Sequence, residues 1–217
     1  KIIYWIDAFK TKNYEKKWLK KLNHITAISE HDENYFKEFF SSKTHILRPV
    51  FNSYLSLDIK SKSLTELIIA GSFVWGPKRE NLISFLKAKN FYRLHENGFK
   101  LTIVGWAKKD LVDYVNNSFK GVIMTGPVDE MLPYYKNAAI AIIAEKLGGG
   151  FKLKVAEAAL NKSAIFSIKG SITACNLIKD KHFLEFDSYE DLIAEIVKSK
   201  INPNYIYEMI ENTYKVA

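Results

Sequence analysis

Short runs rich in Ile, Val, Leu, Ala and Phe recur along the chain at 2–6, 25–28, 46–50, 67–70, 101–104, 122–125, 140–144, 164–167 and 183–186. Several are almost continuously apolar rather than alternating, the pattern of parallel strands buried on both faces. The stretches 32–40, 79–89, 111–116, 153–160 and 189–198 instead carry apolar residues at helical spacing. Ser188 precedes Asp191 by three positions, which predicts a capping-box start for the last of these, with Asp in place of Glu or Gln. Strand and helix in this alternation predict an α/β fold with a Rossmann-like, doubly wound parallel sheet.

The pattern lapses at 53–63, where Ser53, Ser56, Asp58, Lys60, Ser61 and Lys62 make a polar stretch without apolar periodicity. A linker is expected there. Residues 64–200 then hold six strand candidates, enough for one complete doubly wound domain. Residues 1–52 hold too few elements for another and read as the closing part of a preceding domain. The chain also opens at Lys1 inside an apolar stretch, as a fragment of a longer protein would. Residues 201–217 are expected to form a C-terminal helix centred on 205–214.

Composition narrows the classes. Of the 217 residues, 47% are hydrophobic and 26% charged, which excludes a disordered chain and leaves ample material for a core. Cys175 is the single cysteine, so neither an internal disulfide nor a Cys-rich metal site is possible. No apolar run approaches the roughly 20 residues of a membrane span, and the first residues do not form a signal peptide; a cytoplasmic location is expected. The net charge of +8 favours anionic partners without choosing among them, and lysine-rich solubility would produce it equally well.

Chemistry in an open α/β sheet sits where strands end and helices begin. Ala70-Gly71-Ser72-Phe73 follows one strand; its glycine allows either a plain tight turn or close approach of a phosphate. Val104-Gly105-Trp106 reads as a plain turn. The most informative loop is Glu145-Lys146-Leu147-Gly148-Gly149-Gly150-Phe151-Lys152-Leu153-Lys154, placed between a buried strand and the helix 153–160. Such a loop can present backbone N–H groups and the positive end of a helix dipole to an anion. Lys152 and Lys154 oppose that dipole, which costs stability unless an anion lies between them; a flexible turn with solvated lysines is the other reading. The loop matches neither a Walker A nor a G-x-G-x-x-G pattern. Glu157 lies one turn into the helix among Ala156, Ala158 and Ala159, small enough to hold the helix close to a sheet, although a surface carboxylate would look the same.

Taken in order, Gly71-Ser72-Phe73 with Pro77, Ile103-Val104-Gly105, Gly126-Pro127-Val128-Asp129, Tyr134-Tyr135-Lys136-Asn137-Ala138 and Gly148-Gly149-Gly150-Phe151-Lys152-Leu153-Lys154-Val155-Ala156-Glu157-Ala158 resemble one domain. It is the C-terminal, donor-binding domain of GT-B glycosyltransferases, close to glycosyltransferase family 4. The resemblance runs from about 64 to 200. More weakly, Tyr14-Glu15 and Thr26-Ala27-Ile28-Ser29-Glu30-His31-Asp32 resemble the end of the N-terminal, acceptor-side domain.

The resemblance implies a nucleotide-diphosphate sugar as substrate, with its diphosphate on Gly71, Gly149, Gly150 and Phe151. Lys152 and Lys154 would stabilise the leaving group. Glu157, matching the last glutamate of the family's E-x7-E motif, would accept hydrogen bonds from the ribose diol. No cofactor and no metal are implied, since cations and the helix dipole take the diphosphate charge, and the five histidines are scattered. The motif's first glutamate would fall at Gly149 and is missing. The basic pair that clamps the diphosphate falls at Ser72 and Pro77, with Lys78 and Arg79 adjacent; Ser72 and Lys78 are expected among the substrate-binding residues, Lys78 taking the clamp role. The base would meet the loop 126–130.

Family 4 enzymes retain anomeric configuration and, in bacteria, often elongate polysaccharide on a lipid-linked acceptor. The acceptor expected here is a glycan or lipid-linked oligosaccharide, and this chain alone is expected to bind donor but to transfer poorly. Lys10, Lys12, Lys16, Lys17, Lys20 and Lys21, interleaved with Tyr14, Trp18, Leu19 and Leu22, suit a helix lying on an anionic membrane or one packed on another domain. The resemblance also implies that the terminal helix returns to the preceding domain and is poorly anchored here. An epimerase on the same fold, a catalytically silent homologue and a basic nucleic-acid-binding module are the alternatives. The 14 Phe, 12 Tyr and 4 Trp lie mostly at buried-looking positions and no nucleic-acid motif occurs, so no nucleic-acid partner is expected.

Overall fold

A computed structural model describes residues 2–40, 44–50, 58–146, 151–173 and 175–217. The chain divides into two compact units, 1–50 and 51–217.

In the first unit, helix α1 (Ile2–Leu19) leads into strand β1 (Ile25–Ala27), helix α2 (Glu30–Phe40) and strand β2 (Thr44–Ile46), with β1 and β2 paired in parallel. The expected strand at 2–6 is therefore the first turns of a helix. Its β-branched and aromatic residues favour strand locally, but no Gly or Pro interrupts the chain before Asn23, so the helix continues. Apolar residues are distributed around α1 rather than gathered on one face, and Ile3, Tyr4, Trp5 and Phe9 are exposed. Tyr14 and Trp18, one turn apart, have ring centroids 5.9 Å apart, and the Lys21 ammonium sits 4.6 Å over Trp18. The α2 N-terminus is capped by Ser29, whose Oγ accepts from the Asp32 N–H at 3.1 Å. The strand expected at 46–50 lies earlier, where Ile25 and Ala27 pair with Thr44 and Ile46.

The second unit holds the six-stranded parallel sheet. After a 3-10 turn (Ile59–Ser61) come β3 (Ser63–Ala70), α3 (Gly76–Leu86), α4 (Tyr92–Glu96), β4 (Lys100–Val104), α5 (Lys109–Ser118), β5 (Val122–Met124), α6 (Leu132–Asn137) and β6 (Ala138–Ile143). Then follow α7 (Leu153–Leu160), β7 (Ala164–Ile168), β8 (Phe183–Phe186), α8 (Tyr189–Ser199) and α9 (Asn204–Tyr214). The strand order is β5-β4-β3-β6-β7-β8, every neighbouring pair parallel. The polar stretch expected as a linker ends in the 3-10 turn and the first residue of β3, while 53–57 lie outside the described residues. Two short helices, α4 and α6, had no clear periodicity to announce them.

Continuous apolar runs produce two cores, because successive side chains of one strand point to opposite faces. Leu67 and Ile69 of β3, Ile140 and Ile142 of β6, and Phe166 of β7 pack on one side with Phe85, Leu192 and Ile210. Ile68, Ala141, Ile143 and Ile165 pack on the other with Tyr135, Val155 and Ala158. Each fully buried Leu, Ile, Val or Phe among them contributes about 1.5–3 kcal/mol.

Helix α8 starts as expected, with the Asp191 N–H donating to Ser188 Oγ at 3.1 Å. Helix α9 corrects an expectation. It buries Ile206, Met209 and Ile210 in the core of its own unit, and Thr213 Oγ1 donates to the His182 carbonyl at 2.5 Å. The terminal helix is anchored because its apolar stripe matches a groove beside β7 and α7. No helix among the described residues is long and apolar enough to cross a membrane.

Candidate functional site

The strand order fixes where a crevice forms. From β3 the chain moves outward through β4 and β5; β6 returns to the other side of β3 and the chain continues outward through β7 and β8. Loops leaving β3 and β6 therefore part in opposite directions and leave an opening at the carboxyl ends of these strands.

Backbone contacts tie its first wall together. The Gly71 N–H donates to the Val104 carbonyl at 3.0 Å, Phe73 to Trp106 at 2.6 Å and Gly105 to Gly126 at 3.1 Å. Gly105, with φ of +128°, passes so close to Gly71 that a Cβ there would lie 2.0 Å from the Gly71 carbonyl oxygen. The turn 104–106 thus needs glycine for a close approach of two loops. The opposite wall is the N-terminus of α7, where Lys152 is the N-cap residue and makes no side-chain cap.

Between them lies a cleft of about 680 Å³, within the usual range for small-molecule sites. Its lining brings together Gly71, Lys78, Phe151, Lys152, Lys154 and Glu157. Ser72 is exposed on the loop after β3 and is not part of that lining. Gly149 and Gly150 lie outside the described residues. Arg79 turns to Asp110, with 3.2 Å between their charged atoms.

Sequence reasoning assigned no role to the residue at the floor. Glu145, just past the end of β6, is buried with 8% of its side chain exposed. Its Oε1 meets Lys154 Nζ at 2.5 Å and Lys78 Nζ at 3.8 Å, and its Oε2 meets Lys152 Nζ at 3.4 Å. Three ammonium groups thus share one contacting carboxylate. Burial works against the charged carboxylate, yet Lys154 above all, then Lys78 and Lys152, hold Glu145 below the usual carboxylate range. For Lys154, burial pushes the ammonium down, and Glu145 opposes that against Lys78 and Lys152. The anion that lysines at a helix N-terminus require is supplied in part by the chain itself. A lone acid between a buried strand and a glycine run was the available signal.

Glu157 is half-buried and hydrogen-bonded to Tyr135, which is 1% exposed. Burial raises the Glu157 carboxyl, against the Tyr135 hydrogen bond and the charge of Lys154. Burial, then Glu157, raises the Tyr135 phenol. Trp75, more than half exposed, and Met131 complete the rim. Among the described residues no group of His, Cys, Asp and Glu side chains could hold a metal ion.

A family model described as "Glycosyl transferases group 1" matches residues 65–198. Among solved structures, TarM of S. aureus superposes with a TM-score of 0.70 at 14% identity, over 95% of this chain and 42% of TarM. A glycosyltransferase from Rickettsia africae gives 0.68 at 13% identity, over 94% of this chain and 62% of that one. HepE of Anabaena, crystallised with UDP and glucose, gives 0.66 at 11% identity, over 95% and 63%. This chain thus spans less than two thirds of the length of each. No curated protein matches the sequence.

Proposed function

The chain belongs to the group 1 glycosyl transferases, and from that premise we propose that its second unit binds a nucleotide-diphosphate sugar as the donor half of a GT-B glycosyltransferase. The observation that carries this reading is the convergence of Lys78, Lys152 and Lys154 on a cleft that also holds Glu157, at the carboxyl ends of the central strands. Neighbours crystallised with UDP and a sugar support the same substrate class.

In this reading the diphosphate lies against Gly71 and Phe151, with Gly149 and Gly150 completing the loop. Lys152 and Lys154 stabilise the negative charge that develops as the glycosidic bond to phosphate breaks. Cations already in place need no reorganisation during the reaction, which makes such stabilisation effective. The same cations take the place a metal would otherwise fill. Glu157, held by Tyr135, accepts two hydrogen bonds from the ribose hydroxyls.

Transfer of a hexosyl group with retention, to a glycan or lipid-linked acceptor in bacterial polysaccharide synthesis, is the fuller form of the proposal. It requires the acceptor-side domain, so this chain alone binds donor and transfers little or nothing. A cytoplasmic enzyme with peripheral membrane contact is consistent with the lysines of α1 beside the neighbouring rings of Tyr14 and Trp18.

Calorimetric titration with UDP, GDP, CMP and their sugar conjugates tests the reading. Saturable binding of one nucleotide, weakened by Glu157→Ala, is expected; absence of binding to all of them, in this chain and in one carrying the acceptor-side domain, refutes it.

A further inference from the structure

We propose that Glu145 is a positioning residue, an internal counter-ion that holds Lys152 and Lys154 convergent on the cleft, ready for an incoming diphosphate. The proposal rests on the donor-site reading above and concerns how that site is kept prepared.

The geometry requires such a group. The side chains of Lys152 and Lys154 are 8% and 14% exposed, and Lys78 is 32% exposed. Three ammonium groups gathered in a poorly solvated floor repel one another, and each has lost most of its hydration. Glu145 meets all three within 3.8 Å and so holds them toward the floor against their mutual repulsion. Its own carboxylate is fixed because the backbone beneath it is fastened: Ser171 Oγ donates to the Glu145 carbonyl at 2.5 Å, and the Tyr189 hydroxyl donates to the neighbouring Ala144 carbonyl at 2.8 Å.

The groups facing Lys154 from neighbouring elements are Lys78 from α3, Glu145 from the end of β6, and Lys152 and Glu157 from the start of α7. Behind them, Tyr135 of α6 is committed to Glu157, and Cys175 lies near Lys152. Among the described residues, Glu145 and Glu157 act on Lys154, and Glu145 is in contact with it. Replacing Glu145 with neutral glutamine removes the negative charge that opposes burial at Lys154, so Lys154 releases its proton more readily, and a bound diphosphate opposes that release.

Two measurements on the same proteins test this. The Lys154 side-chain NMR signals, identified by their loss in Lys154→Met, are followed against pH in the ligand-free wild type, in Glu145→Gln and in Glu145→Asp. Lys154 is expected to lose its proton at lower pH in Glu145→Gln, and Glu145→Asp to restore most of the wild-type behaviour. An identical titration in wild type and Glu145→Gln overturns the proposal, whether or not nucleotide binds. Calorimetry with UDP in two buffers of different ionisation heat then reads proton uptake. Glu145→Gln should take up more protons than wild type at pH 8, and its Kd should weaken by up to tenfold per pH unit above the shifted titration; equal uptake in the two proteins overturns the proposal. A wild type that binds none of UDP, GDP, CMP and their sugar conjugates, with or without the acceptor-side domain, but in which Lys154 still responds to Glu145, refutes the donor-site reading alone. Should Glu145→Gln fail to fold, Glu145→Gln with Lys154→Met, which removes both charges, folds if Glu145 acts as a counter-ion and does not if it acts by packing.

Discussion

A Cβ on Gly105 would sit 2.0 Å from the carbonyl oxygen of Gly71. The loops after β4 and β3 therefore touch through backbone, and the first wall of the cleft exists only while residue 105 lacks a side chain. With φ at +128°, alanine there is strained even before the clash. Gly105→Ala is expected to cost about 2–4 kcal/mol of stability. Denaturant unfolding checks this, and a loss under about 0.5 kcal/mol would show that the loops part easily.

The lysines of the cleft should not contribute equally. Lys154 is nearly buried and 2.5 Å from Glu145, whereas Lys78 is a third exposed and 3.8 Å away. A charge-assisted contact in a dry site is worth about 1.5–3 kcal/mol, and an exposed one under about 1 kcal/mol. Lys154→Met should weaken UDP binding about 10–100-fold and Lys78→Met about fivefold or less. Equal losses would mean that the diphosphate lies nearer the rim.

Glu157 gives the binding a pH signature. Its ribose contact needs the carboxylate, and burial raises its proton affinity. UDP binding should therefore weaken as the pH falls, starting above the ordinary glutamate value of about 4.3. Glu157→Gln should bind more weakly at neutral pH and lose that dependence. A pH profile shared by both proteins would assign it to another group.

Away from the cleft, Lys62 is 4% exposed, and its ammonium donates to the carbonyls of Tyr135, Ala138 and Asn161 at 2.8, 2.9 and 2.6 Å and contacts Ser163 Oγ at 3.0 Å. It joins the ends of α6 and α7 to the start of β6. Burial, then Lys162, lowers it from 10.5 to about 7. Between those values the unfolded chain holds more protons than the folded one, so its contribution to stability rises with pH across that window. Lys62→Met removes this donor from the Tyr135 and Asn161 carbonyls, while the Ala138 carbonyl keeps Ser163 Oγ–H at 2.8 Å, and should cost about 2–4 kcal/mol at alkaline pH. The difference from wild type should narrow as pH falls toward 7. Unfolding curves at pH 7 and pH 9 show whether it does.

All six strands of the sheet were legible as short apolar runs; in the central strands, as at Leu67 to Ala70 and Ile140 to Ile143, the run fills both faces, whereas the edge strands β5 and β8 leave Ile123 exposed and include Glu185. The helix α7 and the cap of α8 were legible because their signals are local. The start of the chain was not: Ile2 to Ile6 has strand-like residues, and only its uninterrupted continuation decides for helix. Lys152, Lys154 and Glu157 could be placed on one loop and helix from spacing alone. That Glu145 would be the carboxylate between the lysines could not, since Lys78 reaches it from a helix 67 positions earlier in the chain.

The sequence by itself thus determined the periodicities, hence the parallel sheet, its helices and the lysine-bearing loop after β6. Spacing within a strand or a turn is set by covalent geometry, which a sequence contains. The tertiary structure alone decided which charges meet: the order β5-β4-β3-β6-β7-β8 brings β3 beside β6, opens the cleft between them and carries Lys78 to Glu145. Electrostatic pairing depends on distance and on exclusion of water, and both arise only when strands distant in sequence have packed.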